Sequence, residues 1–368
     1  VSADGAASGR FLRACAREPV DATPVWFMRQ AGRALREYRR IRETATLEQI
    51  VGDAALCAEV TLQPVRRLGV DAAILFADIT TPLRGIGLDV RLVDGVGPVI
   101  DEPIRSDADI DRLRAFDAHE SVGPLLEAIR LLRRDLASEH GVPLVGFAGA
   151  PFTLASYLVE GRASQSAIRL RTLMSIRPDF AGRLLGTLTD MTIAYLRAQA
   201  DAGAQALQVF DSWVGTLSVA TYEAAVAPHM RRLFDALADL DIPVIHFATG
   251  NPALLPSMAR AGGSVIGVDW RIPLDEAWRS VTAAVGPRAV QGNLDPVALL
   301  APWDSAAAAA TAVLREARGR PGHVFNLGHG VLPETDPDQL RRLVDLVHAW
   351  PIGTHSDQRV LATAQVPA

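Results

Sequence analysis

Two arginines four residues apart, Arg29 and Arg33, follow directly on the apolar run Pro24-Val25-Trp26-Phe27-Met28. An apolar strand usually ends in turn residues. One that ends in guanidinium groups brings an anion site to one end of a fold, because the planar fork grips a carboxylate or phosphate through two parallel hydrogen bonds. The pair predicts an acidic ligand with more than one acidic group. The plainer reading is a helix-starting pair that salt-bridges surface acids such as Glu37. Strand-end cations inside a closed ring are costly unless paired, which favours ligand binding.

Asp78 follows Phe76-Ala77 at the end of another apolar run. It could cap the next helix. Pro82 and Gly85 argue against a helix starting at once, so a carboxylate that stabilises a developing cation or moves a proton is the favoured reading. Residues 146–161, GFAGAPFTLASYLVEG, read as a strand, a tight turn and a helix start, with glycines that allow close approach to the backbone. Tyr157 lies one turn past Thr153 and could lean over the same end, although a lone tyrosine is commonly ordinary packing. Glu160 reads as a surface or hinge acid. Asp211-Ser212 and the His329 of Gly328-His329-Gly330 close the set. A lone serine such as Ser212 usually donates to backbone, and His329 has a structural reading of equal weight; its flanking glycines permit unusual backbone angles and leave the imidazole ring open to a ligand.

The elements that must carry these residues are legible as alternation. Short apolar runs at 25–28, 72–76, 144–147, 206–210, 244–247, 265–268, 288–291 and 323–327 each end in a polar or glycine-rich tip. Segments with helical periodicity lie between, as at 122–139, 183–202, 222–240 and 306–318. Alternating strand and helix predicts a parallel sheet, and about eight units predict a distorted α/β barrel of the (β/α)8 (TIM) type. An open doubly wound sheet is the alternative. In the barrel, every tip gathers at the C-terminal face of the strands, where active sites of this fold sit. Residues 88–104 alternate around Asp94-Gly95-Val96-Gly97 and predict a hairpin that juts from the barrel. No linker divides the chain. Residues 1–368 read as one domain, with 1–20 and 354–368 peripheral.

Composition removes other chemistries. The 37 basic residues among 368 are all arginine. Without lysine there is no Schiff base, no lysine-anchored pyridoxal cofactor and no P-loop lysine. Two cysteines, Cys15 and Cys57, sit in no paired motif, which argues against thiolate zinc, an iron–sulfur cluster or a disulfide scaffold. A net charge of -5 disfavours nucleic acid and anionic membrane surfaces as partners. No apolar run is long enough to span a bilayer, and residues 1–9 carry no basic-then-apolar leader, so a soluble cytoplasmic protein is expected.

Taken together, the motifs resemble the uroporphyrinogen decarboxylase family. The resemblance runs from about Pro24 to Pro337. Its most specific parts are Trp26-Phe27-Met28-Arg29-Gln30-Ala31-Gly32-Arg33 with Glu37-Tyr38-Arg39, and the 146–161 stretch. Supporting matches are Phe76-Ala77-Asp78-Ile79, Phe210-Asp211-Ser212-Trp213, Gln291-Gly292-Asn293-Leu294-Asp295-Pro296 and Asn326-Leu327-Gly328-His329-Gly330. One departure is Ala34-Leu35-Arg36-Glu37, where the family commonly has an aromatic-Leu-Pro-Glu stretch.

The resemblance implies a distorted barrel, a homodimer, no metal and no organic cofactor. It implies removal of the four acetate carboxyls of uroporphyrinogen as carbon dioxide, leaving methyl groups and giving coproporphyrinogen. Arg29 and Arg33 are then expected to meet substrate carboxylates and Asp78 the pyrrole nitrogens. Tyr157, Phe210, Ser212 and His329 match further substrate-contacting positions. Asp78, Arg29 and Tyr157 are the expected catalytic groups. Two rivals remain. A corrinoid-dependent methyltransferase of the same barrel would need a zinc site near His246-Phe247-Ala248, where alanine stands in place of thiolate. A tetrapyrrole carrier would keep the cleft without turnover.

Overall fold

The computed structural model describes residues 9–30, 34–93 and 95–352. Its centre is a parallel sheet of seven strands: β1 (Ala73–Ile74), β4 (Leu144–Gly149), β5 (Ala206–Asp211), β6 (Val244–Ala248), β7 (Val265–Gly267), β8 (Ala289–Gln291) and β9 (His323–Val324). They pair in the order β1-β4-β5-β6-β7-β8-β9. Two further strands, β2 (Val90–Val93) and β3 (Gly97–Ile100), form the expected hairpin, with Val93 opposite Gly97 and Val90 opposite Ile100.

The eighth barrel strand, expected at 25–28, is reduced to a single bridge at Val25, opposite Phe325. That bridge closes the ring. Phe325 N donates to Pro24 O at 2.8 Å and Trp26 N to Phe325 O at 3.3 Å on one side. On the other side Asp71 N donates to Val25 O at 2.8 Å. The Asp71 carboxylate tightens the closure by accepting from Val25 N at 2.7 Å, from Arg10 at 3.1 Å and from His348 Nε2 at 2.7 Å. Asp71 is buried, so these bonds also satisfy a charge that would be costly alone.

Alternation along each strand sorts inside from outside. Gln208 on β5 and Gln291 on β8 point inward and meet. Trp26 Nε1 donates to Gln291 Oε1, and Gln291 Nε2 donates to Gln208 Oε1, each at 3.0 Å. Phe210, two residues further along β5, forms the next layer toward the C-terminal end. Its ring meets Phe147 of β4 and Phe247 of β6 edge-on, at 5.5 and 5.9 Å between centroids. On the outer face, Gln199 of the helix Pro178–Ala202 clips β4: its side chain accepts from Phe147 N at 2.8 Å and donates to Phe147 O at 2.9 Å. Gly146 makes this possible, since a Cβ there would lie 2.5 Å from Gln199 Oε1.

Some boundaries differ from the periodic reading. The helices expected from 183 and 306 begin earlier, at Pro178, where proline fits a first turn whose N–H groups are unpaired in any case, and at Trp303, directly after the cap residue Pro302. The segment expected as one helix over 222–240 is a π-turn at Tyr222–Val226, the helix Ala227–Asp235 and a 3₁₀ turn at Ala238–Leu240. Residues 1–20 are not wholly peripheral. The helix Arg10–Cys15 buries Phe11 completely, against Trp26, at the N-terminal end of the barrel. Residues 354–368 lie outside the described residues, so nothing bears on that part of the expectation.

Candidate active site

Arg29 stands immediately after the closing bridge, at the C-terminal mouth. Its backbone is left-handed, with φ of 57°, a conformation that strains any residue with a Cβ. The turn is held from both sides. Gln30, fully buried, donates to Ala72 O at 3.1 Å and accepts from Phe27 N at 3.2 Å. Val331 N donates to Met28 O at 2.9 Å. The Arg29 stem lies along Gly330, where a Cβ would come within 2.6 Å of its Cδ. Among the described residues the exposed Arg29 guanidinium has no hydrogen-bond or carboxylate partner. A cation held in a strained turn with no partner among the described residues fits a ligand role. Arg33 lies outside the described residues.

Asp78 follows β1 at the same mouth and is half-buried. Asp78 does not cap the next helix, whose cap residue is Thr80 with no side-chain capping bond, but the expectation that no helix starts at once is corrected. A 3₁₀ helix, Thr81–Ile86, does begin at once, with Pro82 in its first turn where the missing N–H is harmless. Asp78 Oδ1 accepts from Thr80 N at 2.9 Å and Thr80 Oγ1 at 2.5 Å. Among the described residues Oδ2 has no partner. One oxygen therefore builds the turn and the other is left to the mouth.

Tyr157 is carried by the helix Pro151–Glu160, which starts directly after β4 and ends at Gly161. Its ring packs edge-on to Trp213 at 6.2 Å. Burial raises the phenol pKa first, and the nearby Asp78 charge raises it further; the Trp213 side chain and Arg29 act in the opposite sense. The Trp213 indole N–H approaches without reaching hydrogen-bond geometry, since it has no partner among the described residues. Tyr157 thus lies in the fields of both Asp78 and Arg29. It stays a neutral O–H donor across the neutral range.

His329 is half-buried, edge-on to Trp270 at 6.2 Å. Burial, with Arg29 and Arg271 close by, pushes its pKa down to about 4, so the ring is neutral at pH 7. The flanking glycines were expected to supply unusual backbone angles. Neither Gly328 nor Gly330 has positive φ. They supply space instead: Gly330 for Arg29, and Gly328 for the Trp270 backbone, which a Cβ would meet at 2.4 Å. Ser212 is half-buried beside Trp213, and its hydroxyl has no partner among the described residues. Phe210 forms the apolar floor between Phe147 and Phe247.

Two features escaped the sequence reading. Asp211 is fully buried, accepts one hydrogen bond from Thr153 Oγ1 at 2.8 Å and, among the described residues, has no partner for Oδ2. Burial raises its pKa to about 7, with the Thr153 bond opposing. Thr153 Oγ1 also accepts from Trp213 N at 3.2 Å, so Asp211 anchors the loop that carries Ser212 and Trp213. Glu160 is a helix cap, accepting from Arg169 N at 2.8 Å and Leu170 N at 3.2 Å.

Other polar clusters do not compete with the mouth. A cavity of about 360 Å³ lies at the opposite end of the barrel, lined by Arg10, Asp71, His140 and His348 among others. Its Asp71 is already committed to closing the ring. His246 faces outward from β6, against Phe234 at 4.9 Å and Gly262 O at 3.3 Å. Cys57 donates to Phe76 O at 3.2 Å, and burial pushes its thiol up to about 12. Among the described residues no group of three or more His, Cys, Asp or Glu side chains is placed to hold a metal, and no helix is long and apolar enough to cross a membrane.

A closed parallel ring with charged and aromatic groups collected over its C-terminal end is a single-domain (β/α)8 barrel of the enzyme type. The overall shape is shared with a methyltransferase from Methanosarcina mazei (TM-score 0.75, 20% identity, 92% of this chain and 97% of that one), a likeness of fold alone. The family model described as Uroporphyrinogen decarboxylase (URO-D) matches residues 7–350. Uroporphyrinogen decarboxylase of Sorangium cellulosum is 53% identical over 93% of this chain and 96% of its own length. A Thermus thermophilus uroporphyrinogen decarboxylase is 52% identical over 91% and 96%. The chain belongs to the uroporphyrinogen decarboxylase family.

Proposed function

We propose that the chain converts the acetate arms of uroporphyrinogen to methyl groups, each with loss of one carbon dioxide, with Asp78 as the central electrostatic group. Removing a carboxylate needs a place for its electron pair. An electron-rich pyrrole supplies that place itself. A proton added to the ring carbon that bears the acetate gives an iminium-like cation. The carboxylate leaves as carbon dioxide as its electron pair neutralises that cation. A second proton, taken up at the exocyclic carbon, makes the methyl group, while the ring carbon loses the first. The balance per arm is one proton consumed and one carbon dioxide released.

Asp78 Oδ2 accepts the pyrrole N–H groups and stabilises the cation. A fixed charge in such a cleft lowers a barrier by roughly 3 kcal/mol. Arg29 binds a substrate carboxylate, with Arg33 as its companion, four residues on. Tyr157 and Ser212 donate hydroxyls to the acidic arms, and neutral His329 makes a hydrogen bond without adding charge. Phe210 carries the face of the macrocycle. The observation that bears most weight is the division of labour at Asp78: Oδ1 is tied to Thr80, while among the described residues neither Oδ2 nor the Arg29 guanidinium at the same mouth has a partner.

The reading extends to a homodimeric, cytoplasmic enzyme that works without metal or organic cofactor. Val297 and Leu300, exposed apolar residues on the turn after β8, supply support for a protein contact on the mouth side. The test is anaerobic incubation with uroporphyrinogen, followed by oxidation and chromatography of the fluorescent porphyrins. Stepwise appearance of species with seven, six, five and four carboxylates is expected. Bound but unchanged uroporphyrinogen would favour a carrier and overturn the proposal.

A further inference from the structure

We propose that Thr80 is a positioning residue for the reaction, fixing the Asp78 carboxylate so that a single oxygen faces the ligand. The proposal rests on the reading that Asp78 meets the pyrrole nitrogens. Thr80 contributes two donors to one oxygen: its backbone N–H at 2.9 Å and its hydroxyl at 2.5 Å, both to Asp78 Oδ1. The following residue holds the main chain of the same turn. Asp78 N donates to Thr81 Oγ1 at 3.2 Å, and Thr81 N donates to Asp78 O at 3.0 Å. Thr80 itself is buried, at 2% exposure, whereas Asp78 is half-buried. Its donors are therefore protected from exchange with water, which makes them effective constraints.

The arrangement divides the carboxylate into unlike halves. Oδ1 is occupied by two donors from one residue. Oδ2 has no partner among the described residues and is the half available to a ring of N–H groups. A macrocycle with several inward N–H groups is best served by one fixed acceptor on its axis. A carboxylate free to rotate would present two competing acceptors off that axis and would reorganise as charge develops. Pre-set orientation is what makes such a charge effective in the transition state. Thr80 therefore acts on the rate of the chemical step more than on capture of the acidic rim.

Thr80 also sits in a place where its hydroxyl can be removed without emptying space. With Thr81, Leu47, Val51 and Leu125 it lines a cavity of about 180 Å³ on the side of the turn. Valine has nearly the same shape as threonine, and Val51, Val90, Val122 and Leu125 are among the cavity's lining, beside Glu48, Arg84 and Ser121. Thr80→Val removes the hydroxyl donor and keeps the backbone donor.

The experiment compares Thr80→Val, Thr80→Ser, Asp78→Asn and the double variant Thr80→Val/Asp78→Asn in the anaerobic assay, with a melting curve for each. Loss of a hydrogen bond to a charged group predicts a fall in kcat of about tenfold for Thr80→Val, with KM changed less than about threefold. Thr80→Ser restores the donor and recovers most of the lost rate. In the Asp78→Asn background Thr80→Val has little further effect, because there is no charge left to aim. Should Thr80→Val melt far below the parent, Thr80→Ala supplies the same deletion without branched bulk. Wild-type kcat in a folded Thr80→Val or Thr80→Ala variant, beside an inactive Asp78→Asn, overturns the positioning role alone. So does a full multiplicative loss in the double variant. Normal turnover by Asp78→Asn instead overturns the reading of Asp78 on which the proposal stands.

Discussion

Replacing Asp211 with asparagine should make the protein more stable at alkaline pH, and the size of the gain follows from the geometry. The side chain is fully buried, with one hydrogen bond from Thr153 and an Oδ2 that has no partner among the described residues. Its pKa rises from the ordinary 3.8 to about 7. The folded protein then holds a proton on this group between about pH 4 and 7 that the unfolded chain has released. By linkage, stability from this group is fully present below about pH 4 and is lost as pH rises through 7. A shift of about three units corresponds to roughly 4 kcal/mol, an upper figure for one group. Asparagine carries no charge at any pH and keeps the acceptor for Thr153. The buried histidines work in the opposite sense: burial lowers His246 and His323 to about 4, so they remove stability as pH falls through the range between 6.5 and 4. They are common to both proteins and cancel in the difference. The assay is urea denaturation of wild type and Asp211→Asn from about pH 5 to 8.5. The difference should already stand at roughly 1.6 kcal/mol at pH 5, widen by about 1.4 kcal/mol per pH unit up to pH 7, and level off by about pH 8 in favour of the variant. Parallel curves across that range would refute the reasoning.

Arg29→Gly should release the left-handed strain, raising stability by about 1 kcal/mol in thermal or urea unfolding while weakening substrate binding; equal or lower stability contradicts the strain argument. Gly330→Ala places a Cβ 2.6 Å from Arg29 Cδ, so the arginine must move, and KM should rise several-fold with little loss of melting temperature. An unchanged KM would mean that this stem position is irrelevant. Asp71→Ala removes the acceptor for Val25 N, Arg10 and His348 together, and should destabilise by about 3 kcal/mol in urea titration, because a buried pair is broken from one side. A loss under about 0.5 kcal/mol would show that the ring closes without it.

Much of this architecture is written in local pattern. The alternation of apolar runs and polar tips located each barrel strand, because a buried parallel strand needs an unbroken apolar stretch and a loop needs turn residues. Arg29, Asp78, Phe210, Ser212 and His329 are brought to one end for the same reason, since each stands at or a few residues past a strand's C-terminal end, while Tyr157 comes from the helix that follows β4. What stayed hidden depends on contacts between distant residues. Asp211 and Thr153 are 58 positions apart, and nothing in either neighbourhood announces that one carboxyl oxygen will be sealed without a partner. The collapse of the first strand to a bridge depends on the Asp71 side chain reaching Val25 across 46 positions. Asp78 shows the limit at short range. Proline and glycine after it argued against a helix, yet a 3₁₀ turn tolerates both, and the residue ties one oxygen to Thr80 ahead of that turn while the other has no partner among the described residues. The departure at Ala34-Leu35-Arg36-Glu37 has a modest structural effect, since the helix Arg36–Arg42 still starts there behind a fully buried Leu35.

The sharpest test is the turnover rate of Asp78→Asn against wild type with uroporphyrinogen under anaerobic conditions, each protein first shown to melt alike. Asparagine keeps the acceptor that Thr80 needs and removes only the charge. A fall in kcat of about 10²- to 10³-fold is the expected result. A variant that decarboxylates at the wild-type rate would contradict the claim that a negative oxygen at the centre of the mouth drives the reaction.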